Sequence, residues 1–354
     1  MITRTGTKCQ TEIQPIRVLE PADWRQLLST SNLSLTELLT RLNLKQEDFI
    51  DSLDGPLDVN PLDFIIKAPA PFIARMTKGD INDPLLRQVL PLQKENQVMP
   101  GYIDDPLHEK DYNVAPGLIH KYRNRALLIV TQACAIHCRY CFRRHFPYED
   151  NRLARQAWEK ALHYLQAKPN INEIILSGGD PLATSNKQLQ WLIDQLATIT
   201  SIKTLRIHSR LPVVLPQRID RDLINCLRGW PGHKVVVIHS NHANEIDNNV
   251  KHAVDKIKST GAIVLNQSVM LKGVNDRAET LAELSQRLFD SGVLPYYLHL
   301  LDPVTGAAHF AITDARAKRI MGEVTRLLPG YLVPKLVREL ANKNSKTLIL
   351  PTES

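Results

Sequence analysis

The pattern of apolar positions in this 354-residue chain changes near residue 125. Beyond that point, short apolar runs of strand length alternate with stretches in which apolar residues recur at helical spacing. The runs predict strands at residues 126–130, 173–176, 204–208, 234–239, 262–266 and 295–301. The stretches predict helices at residues 153–165, 189–196, 221–227, 246–258, 279–289 and 313–328. This alternation predicts an α/β fold with a parallel sheet covered by helices.

Periodicity alone does not separate a barrel from a doubly wound open sheet. In both folds, reactive residues belong on the loops that follow the carboxyl ends of the strands. Four segments occupy such positions: a cysteine-containing loop after the first strand, SGGD at 177–180, HSNH at 239–242 and HLLD at 299–302. We expect the chemistry to lie there.

The two flanks have a different character. Residues 1–120 predict a separate, mostly helical segment, with helical spacing at 22–28 and 35–42 and Ser34 and Glu37 placed as a capping box. Frequent prolines break the rest of this segment into short pieces, and it contains no recognisable chemical motif. We expect it to cover one side of the catalytic domain. Residues 329–354 are too few to fold alone and are expected to lie on that domain.

Composition narrows the class of protein. A hydrophobic content of 43% supports a sizeable core. No apolar run reaches the roughly 18 residues of a membrane helix, and the start lacks the apolar region of a secretion signal, so a cytoplasmic protein is expected. The net charge of +7 is scattered and not interleaved with aromatic residues, which disfavours nucleic acid as a partner. A mildly basic surface suits anionic cofactors or an acidic protein partner.

The loop after the first predicted strand reads TQACAIHCRYCFRRHFP and contains a C-x3-C-x2-C array. Its cysteines are Cys134, Cys138 and Cys141. Three thiolates on one loop can ligate three irons of a four-iron cluster, and no residue at matching spacing supplies a fourth ligand. The vacant iron is then available to a small molecule.

A structural zinc site is the alternative for these cysteines, with His137 or His145 as fourth ligand. Zinc sites usually show a second pair of ligands, and the sequence has none. Cys9 and Cys226 stand alone and are interpreted as structural or incidental.

The array resembles the signature of radical S-adenosylmethionine (SAM) enzymes, in which SAM chelates the unique iron. Further segments, HKYRNRALLIV, CRYCFRRHFP, SGGDPL, LNQSVMLKGVND and PYYLH, resemble the lysine 2,3-aminomutase family over about residues 75–350. Within it, the chain is most similar to the proteobacterial branch that supplies β-lysine for modification of elongation factor P. The resemblance implies a partial (β/α)6 barrel at residues 121–328, a C-terminal extension at 329–354, and three cofactors: a [4Fe-4S] cluster, SAM and pyridoxal 5′-phosphate (PLP).

The resemblance also assigns residues to the cofactors. Ser177, Gly178, Gly179 and Asp180 match the motif that holds the methionyl amine of SAM. Glycines allow a ligand to approach the backbone closely, and a carboxylate suits an ammonium group.

The resemblance places the PLP lysine of the family on Lys346. In larger members a glycine-rich run precedes this lysine, whereas this chain has Ala-Asn-Lys-Asn-Ser. Because of this difference, Lys343 and Lys335 remain competitors. Lys121, Tyr122 and Arg125 match the family's basic patch for the PLP phosphate.

For the substrate, the resemblance places Arg143 at the lysine carboxylate and Asp276 and Glu339 at a substrate ammonium. Glu339 stands where catabolic lysine aminomutases have aspartate, so its reach differs by one methylene. A lysyl residue within a protein has no free carboxylate and would leave Arg143 unpaired at a cost of a few kcal/mol. Free L-lysine is therefore the expected substrate.

The implied activity is a radical isomerisation of L-α-lysine to β-lysine. It needs an external electron donor, and attachment of β-lysine to elongation factor P needs a separate ligase. Two alternatives remain: a 2,3-aminomutase acting on glutamate or arginine, and a non-enzymatic iron–sulfur or zinc protein. The acidic pair favours a cationic substrate. The sequence leaves the oligomeric state open.

Overall fold

The computed structural model describes residues 23–50, 55–59, 64–146, 155–341 and 343–352. Within these ranges, one long sheet contains all strands except the first two, which pair with each other. The strands in chain order are β1 (Asn32–Leu33), β2 (Ile66–Lys67), β3 (Asn113–Ala115), β4 (Leu118–Tyr122), β5 (Arg125–Thr131), β6 (Glu173–Gly178), β7 (Thr204–Ser209), β8 (His233–His239), β9 (Ile263–Met270), β10 (Leu294–Leu300), β11 (Lys335–Arg338) and β12 (Thr347–Leu348).

The sheet follows chain order from β3 to β12. Every neighbouring pair from β5 to β11 is parallel, and the pairs that include β3, β4 or β12 are antiparallel. The predicted run of parallel strands is confirmed as β5 to β10. The C-terminal extension adds a further parallel strand, β11. The sheet therefore extends beyond both predicted segment limits, at residues 120 and 328.

Helices follow most of the parallel strands, as the periodicity predicts. Those in the described ranges are α1 (Trp24–Ser29), α2 (Leu35–Arg41), α3 (Ala70–Ile73), α4 (Arg155–Gln166), α5 (Asn186–Ala197), α6 (Leu211–Val214), α7 (Arg221–Arg228), α8 (Asn248–Lys258), α9 (Ala278–Asp290) and α10 (Asp314–Leu327). The first residue of the predicted helix at 22–28 and the first two residues of the predicted helix at 153–165 lie outside the described ranges. In those ranges, no helix is long and apolar enough to span a membrane.

Local sequence fixes where several helices begin. At α2, the Ser34 hydroxyl accepts a hydrogen bond from the Glu37 amide, and the Glu37 carboxylate accepts one from the Ser34 amide. The predicted capping box is therefore confirmed. Asp220 and Asp247 cap α7 and α8 in the same way, and each such cap contributes about 1 kcal/mol to stability.

The sheet curves until its two ends meet. The side chains of Lys121 and Tyr122 on β4 both contact Glu339, which directly follows β11. Side-chain contacts thus close the gap between the first and last parts of the partial barrel. The N-terminal segment shares the barrel's core, because Phe72 and Leu86 belong to the same buried cluster as Leu128.

Candidate active site

A cavity of about 620 Å³ lies at the carboxyl ends of the barrel strands. Its walls come from β5 to β10 and the loops that follow them, as expected for a parallel barrel, and also from β4, the N-terminal segment and the C-terminal extension. The structure brings the predicted site residues together in this cavity, with Asp276 as the exception. Those that line it are Lys121, Tyr122, Arg125, Cys134, Cys138, Cys141, Arg143, Ser177, Gly178, Gly179, Asp180, Glu339 and Lys346.

The N-terminal segment holds the cysteine loop in place. The His137 amide donates to the Lys67 carbonyl at 2.9 Å, and the Arg139 amide donates to the Gln88 carbonyl at 2.9 Å. The His137 ring, considered above as a zinc ligand, contacts the Ile65 carbonyl through Nδ1 at 2.9 Å. The segment that showed no chemical motif therefore shapes the loop that carries the thiols.

Glu95 of the N-terminal segment pairs with two arginines of the cysteine loop. Arg139 donates from Nε at 2.8 Å and from Nη2 at 2.5 Å to its carboxylate, and Arg144 Nη2 lies 3.0 Å from Glu95 Oε2. All three side chains are buried. Since removal of one partner would leave a buried charge uncompensated, Glu95 stabilises the loop in its observed shape.

Arg210 brings a positive charge to the cysteines themselves. Its Nη1 donates to Cys138 Sγ at 2.6 Å, and its Nη2 donates to Gln88 Oε1 at 2.7 Å and to Glu245 Oε2 at 3.2 Å. Burial, together with repulsion from Cys138, raises the pKa of Cys141 to about 11. Binding of a metal by Cys141 would therefore have to displace the proton of that thiol, and the Arg210 guanidinium would offset the negative charge of a metal-bound Cys138.

The two glycines of SGGD allow the loop after β6 to touch the cysteine loop. The Gly179 amide donates to the Thr131 carbonyl at 2.7 Å, and the Asp180 amide donates to the Ala133 carbonyl at 2.8 Å. A Cβ on Gly179 would lie 2.5 Å from the Gln132 carbonyl oxygen. The sequence predicted that these glycines let a ligand approach the backbone closely. In the structure, they let the backbone of the cysteine loop approach instead.

The Asp180 carboxylate is occupied by neighbouring donors. It accepts hydrogen bonds from the Ser209 hydroxyl at 2.7 Å and from the amides of Leu182, Arg210 and Leu211 at 2.7–3.1 Å. Burial raises its pKa to about 6 although these bonds favour the charged form. In the structure, Asp180 therefore ties the loop after β6 to the loop after β7. A contact with the SAM amine stays a prediction.

Gly179→Ala should reduce both cluster content and thermal stability. The new methyl would overlap the backbone oxygens of Gln132 and Ala133, at 2.5 and 2.6 Å, which cannot move aside as a flexible side chain could. We expect a loss of roughly 1–3 kcal/mol, measured by thermal unfolding, with iron content measured in parallel. Gly330→Ala is the control, because a Cβ there meets no atom within 4 Å. Normal iron and stability in Gly179→Ala would contradict this packing.

Lys346 points into the cavity and is paired with Glu339. Glu339 Oε1 also accepts from Tyr122 at 2.6 Å and lies 3.3 Å from Lys121 Nζ. Burial opposes ionisation of Glu339, but Lys346, Tyr122 and Lys121 outweigh it and lower its pKa to about 2. The guanidinium of Arg125 stacks over the Tyr122 ring at 4.1 Å. The predicted PLP lysine and the predicted phosphate-binding residues thus form one cluster.

The two competing lysines lie elsewhere. Lys335 on β11 and Lys343 in the following turn are both exposed, and neither lines the cavity. Of the three candidate lysines, Lys346 is the one that lines the cavity, and its role as the PLP lysine stays a prediction.

Asp302 is a further acidic residue of the cavity, and no motif in the sequence singles it out. It directly follows β10 in the HLLD segment, which had been noted only for its position after a strand. Burial, together with repulsion from Glu339, raises the pKa of Asp302 to about 7 despite the nearby Lys346. Asp302 and Glu339 therefore lie close enough in this cavity to repel each other when both are ionised.

Asp276 does not reach the cavity. Its Oδ1 accepts a hydrogen bond from the Gly273 amide at 2.9 Å, and its Oδ2 pairs with Arg316 Nη2 at 2.6 Å. Its short side chain closes its own turn and binds α10 on the outside of the barrel. The structure does not place Asp276 where the predicted contact with the substrate would need it, whereas Asp302 lines the cavity.

Arg143 lines the cavity and is already paired within the protein. Its Nε and Nη2 donate to the two carboxylate oxygens of Glu109, both at 2.7 Å, and its Nη1 donates to the Ser177 hydroxyl at 3.1 Å. A ligand without a carboxylate would therefore not leave Arg143 unpaired. This corrects the penalty of a few kcal/mol expected from the sequence. Glu109, from the N-terminal segment, had no signal in the sequence.

Three histidines from different strands also line the cavity: His208, His239 and His299. Burial lowers the pKa of all three, that of His239 and His299 to about 3. Among the described residues, the Nε2 atoms of His208 and His299 have no hydrogen-bond partner. These neutral rings give the cavity polar groups without adding charge.

Comparisons with known proteins place the chain in a family. The sequence model of the radical SAM superfamily matches residues 128–225, which include the cysteine loop and SGGD. The L-lysine 2,3-aminomutase of Escherichia coli (strain K12) is 49% identical over 325 residues, 92% of this chain and 94% of that protein. The enzyme of that name from Haemophilus influenzae is 45% identical over 94% of this chain and 96% of its own length.

A more distant L-lysine 2,3-aminomutase, from Clostridium subterminale, is 35% identical over 79% of this chain and 67% of its own length. The similarity to the two nearer relatives extends over almost the whole of both sequences. This protein therefore belongs to the L-lysine 2,3-aminomutase family of the radical SAM superfamily.

Proposed function

We propose that this protein converts free L-α-lysine into β-lysine. The observation that carries the proposal is that one cavity is lined by both guanidinium groups, Arg143 among them, and carboxylates, Asp302 and Glu339 among them, together with Lys346 and three cysteines. Free lysine presents the complementary charges, an α-carboxylate and an ε-ammonium. Relatives that share nearly the whole chain bear the name L-lysine 2,3-aminomutase.

The residues present fit the cofactors of the family. Cys134, Cys138 and Cys141 would hold a [4Fe-4S] cluster, since they are three soft donors on one loop with Arg210 beside them. Lys346 would carry PLP. When bound, the cluster and SAM supply a carbon-centred radical that removes hydrogen from an unactivated carbon, and PLP supplies a covalent attachment for the migrating amine.

The protein's own contribution is to bind and orient. The positive charge of Arg143 suits the substrate carboxylate, which would share this guanidinium with Glu109. An ammonium near Asp302 would lower the pKa of that carboxyl from about 7 and keep it ionised. The pair Asp302 and Glu339 would repel the side chain of glutamate, which makes glutamate a poor substrate.

We further propose a cytoplasmic enzyme that uses an external electron donor and supplies β-lysine for elongation factor P through a separate ligase. The similarity to the Escherichia coli and Haemophilus influenzae proteins supports this, because the proteobacterial branch of the family is the one linked to that modification.

The test is anaerobic incubation of the reconstituted enzyme with reductant, SAM and one substrate at a time, followed by mass spectrometry. Free lysine should give β-lysine. Arginine, glutamate and lysylated elongation factor P should each react at least about a hundredfold more slowly. Each of them either lacks one of the two charges that the cavity complements or places these charges at a different distance from each other. Faster rearrangement on the lysylated factor, or a preference for arginine or glutamate, would overturn the assignment.

A further inference from the structure

We propose that Glu109 is a positioning residue that sets the orientation of Arg143 for the substrate carboxylate. This rests on the proposed function, in which Arg143 binds that carboxylate. The N-terminal segment, which contains no chemical motif, would then complete the substrate site of the barrel.

The first argument is the geometry of the guanidinium. A guanidinium is planar, and its five N–H groups point in fixed directions. Glu109 accepts from Nε and Nη2, both at 2.7 Å, while Nη1 donates to the Ser177 hydroxyl at 3.1 Å and to the Gly178 carbonyl at 3.5 Å. Contacts on both sides of the fork fix its plane before a ligand arrives. Such preorganisation reduces the cost of binding and of aligning the reacting carbon.

The second argument is burial. The Arg143 side chain is 8% exposed and that of Glu109 is 12% exposed. At this depth a charge pair is much less screened than a surface pair. Glu109 also lies near enough to Asp302 to contribute to the rise in the pKa of that carboxyl. Glu109 therefore belongs to the charge distribution of the cavity.

The third argument is that other contacts anchor the segment around Glu109. Upstream, the Ile103 amide donates to the Pro303 carbonyl at 3.0 Å. Downstream, the Tyr112 hydroxyl donates to the Ala341 carbonyl at 3.0 Å. These anchors place Glu109 between the loop after β10 and the C-terminal extension. Since they do not depend on its carboxylate, its bidentate contact with Arg143 can be changed without detaching the segment.

The experiment compares two amines that differ by one group. L-Lysine and cadaverine (1,5-diaminopentane) both present amines to PLP, but cadaverine lacks the carboxylate. Binding of each to the reconstituted enzyme, without reductant, is measured from the change in PLP absorbance, which does not depend on turnover. The preference for lysine over cadaverine then reports the carboxylate contact alone.

Glu109→Gln keeps the shape of the side chain but loses the second acceptor and the charge. Lysine binding should weaken roughly tenfold to a hundredfold, which is the range for loss of a residue that orients a ligand-binding group. Cadaverine binding should stay unchanged. Glu109→Asp keeps the charge and should recover part of the preference. In turnover, KM for lysine should rise more than kcat falls. Asp111→Asn is the matched control, because Asp111 lies two residues away and its side chain is 71% exposed.

Each other outcome has a definite meaning. If the wild-type enzyme binds lysine and cadaverine equally, the proposed role of Arg143 is wrong, and Glu109 has nothing to position. A second outcome is that the wild-type enzyme prefers lysine over cadaverine, but Glu109→Gln either leaves this preference unchanged or weakens the binding of both amines equally. The positioning role of Glu109 is then wrong, while the proposed function stands. Tighter lysine binding in Glu109→Gln would show that Glu109 competes with the substrate for Arg143, which also overturns the proposal.

Discussion

Replacement of Cys134, Cys138 or Cys141 by alanine is expected to abolish both the iron–sulfur cluster and the activity. Each thiol lines the cavity on the same loop, and three protein thiolates are the minimum set when one iron is left for SAM. The wild-type protein, reconstituted anaerobically, should bind about four irons, and each variant should bind almost none. Iron analysis and the visible absorbance of the cluster measure this directly.

The control for these variants is Cys226→Ala. Cys226 is buried on α7, and its Sγ lies 3.7 Å from the Asn186 carbonyl oxygen, far from the cavity lining. This variant should keep its iron and lose at most about 1–2 kcal/mol of stability through the small cavity it leaves. An empty cluster site in Cys226→Ala would refute the assignment of three ligands. Cys9 lies outside the described residues.

The parts of the fold that could be predicted are those that depend on neighbours in the chain. Apolar runs located β5 to β10, helical spacing located the helices between them, and Ser34 with Glu37 located the start of α2. The three cysteines lie within one loop, so their spacing alone indicates their chemistry. The antiparallel strand β12 was not predicted, because its two residues have no periodicity to detect.

The parts of the site that could not be predicted depend on contacts between distant parts of the chain. The pair Glu95–Arg139 joins residues 44 positions apart, and the pair Glu109–Arg143 joins residues 34 positions apart. A lone glutamate in a polar segment gives no sign that it will be buried against an arginine. The error over Asp276 has a different origin. The rule that reactive residues follow barrel strands also applies to Asp302, and only the structure shows which carboxylate turns inward.

Lys346→Ala is expected to eliminate covalent binding of PLP while leaving the iron content unchanged. The cysteine loop follows β5, whereas Lys346 precedes β12, so the two cofactors depend on different segments. Glu339 would keep its contacts with Lys121 and Tyr122, so the cavity wall should survive the substitution. Activity should fall by at least about a thousandfold, the scale of losing a group that acts covalently.

Borohydride reduction of the wild-type protein, followed by peptide mapping, identifies the lysine directly. The label should appear on Lys346, whose Nζ is held against Glu339 inside the cavity. Lys343→Ala and Lys335→Ala remove exposed amines from the same extension and should retain both cofactors and activity. Because these lysines are exposed and do not line the cavity, label on either of them would refute the assignment of Lys346 as the PLP lysine.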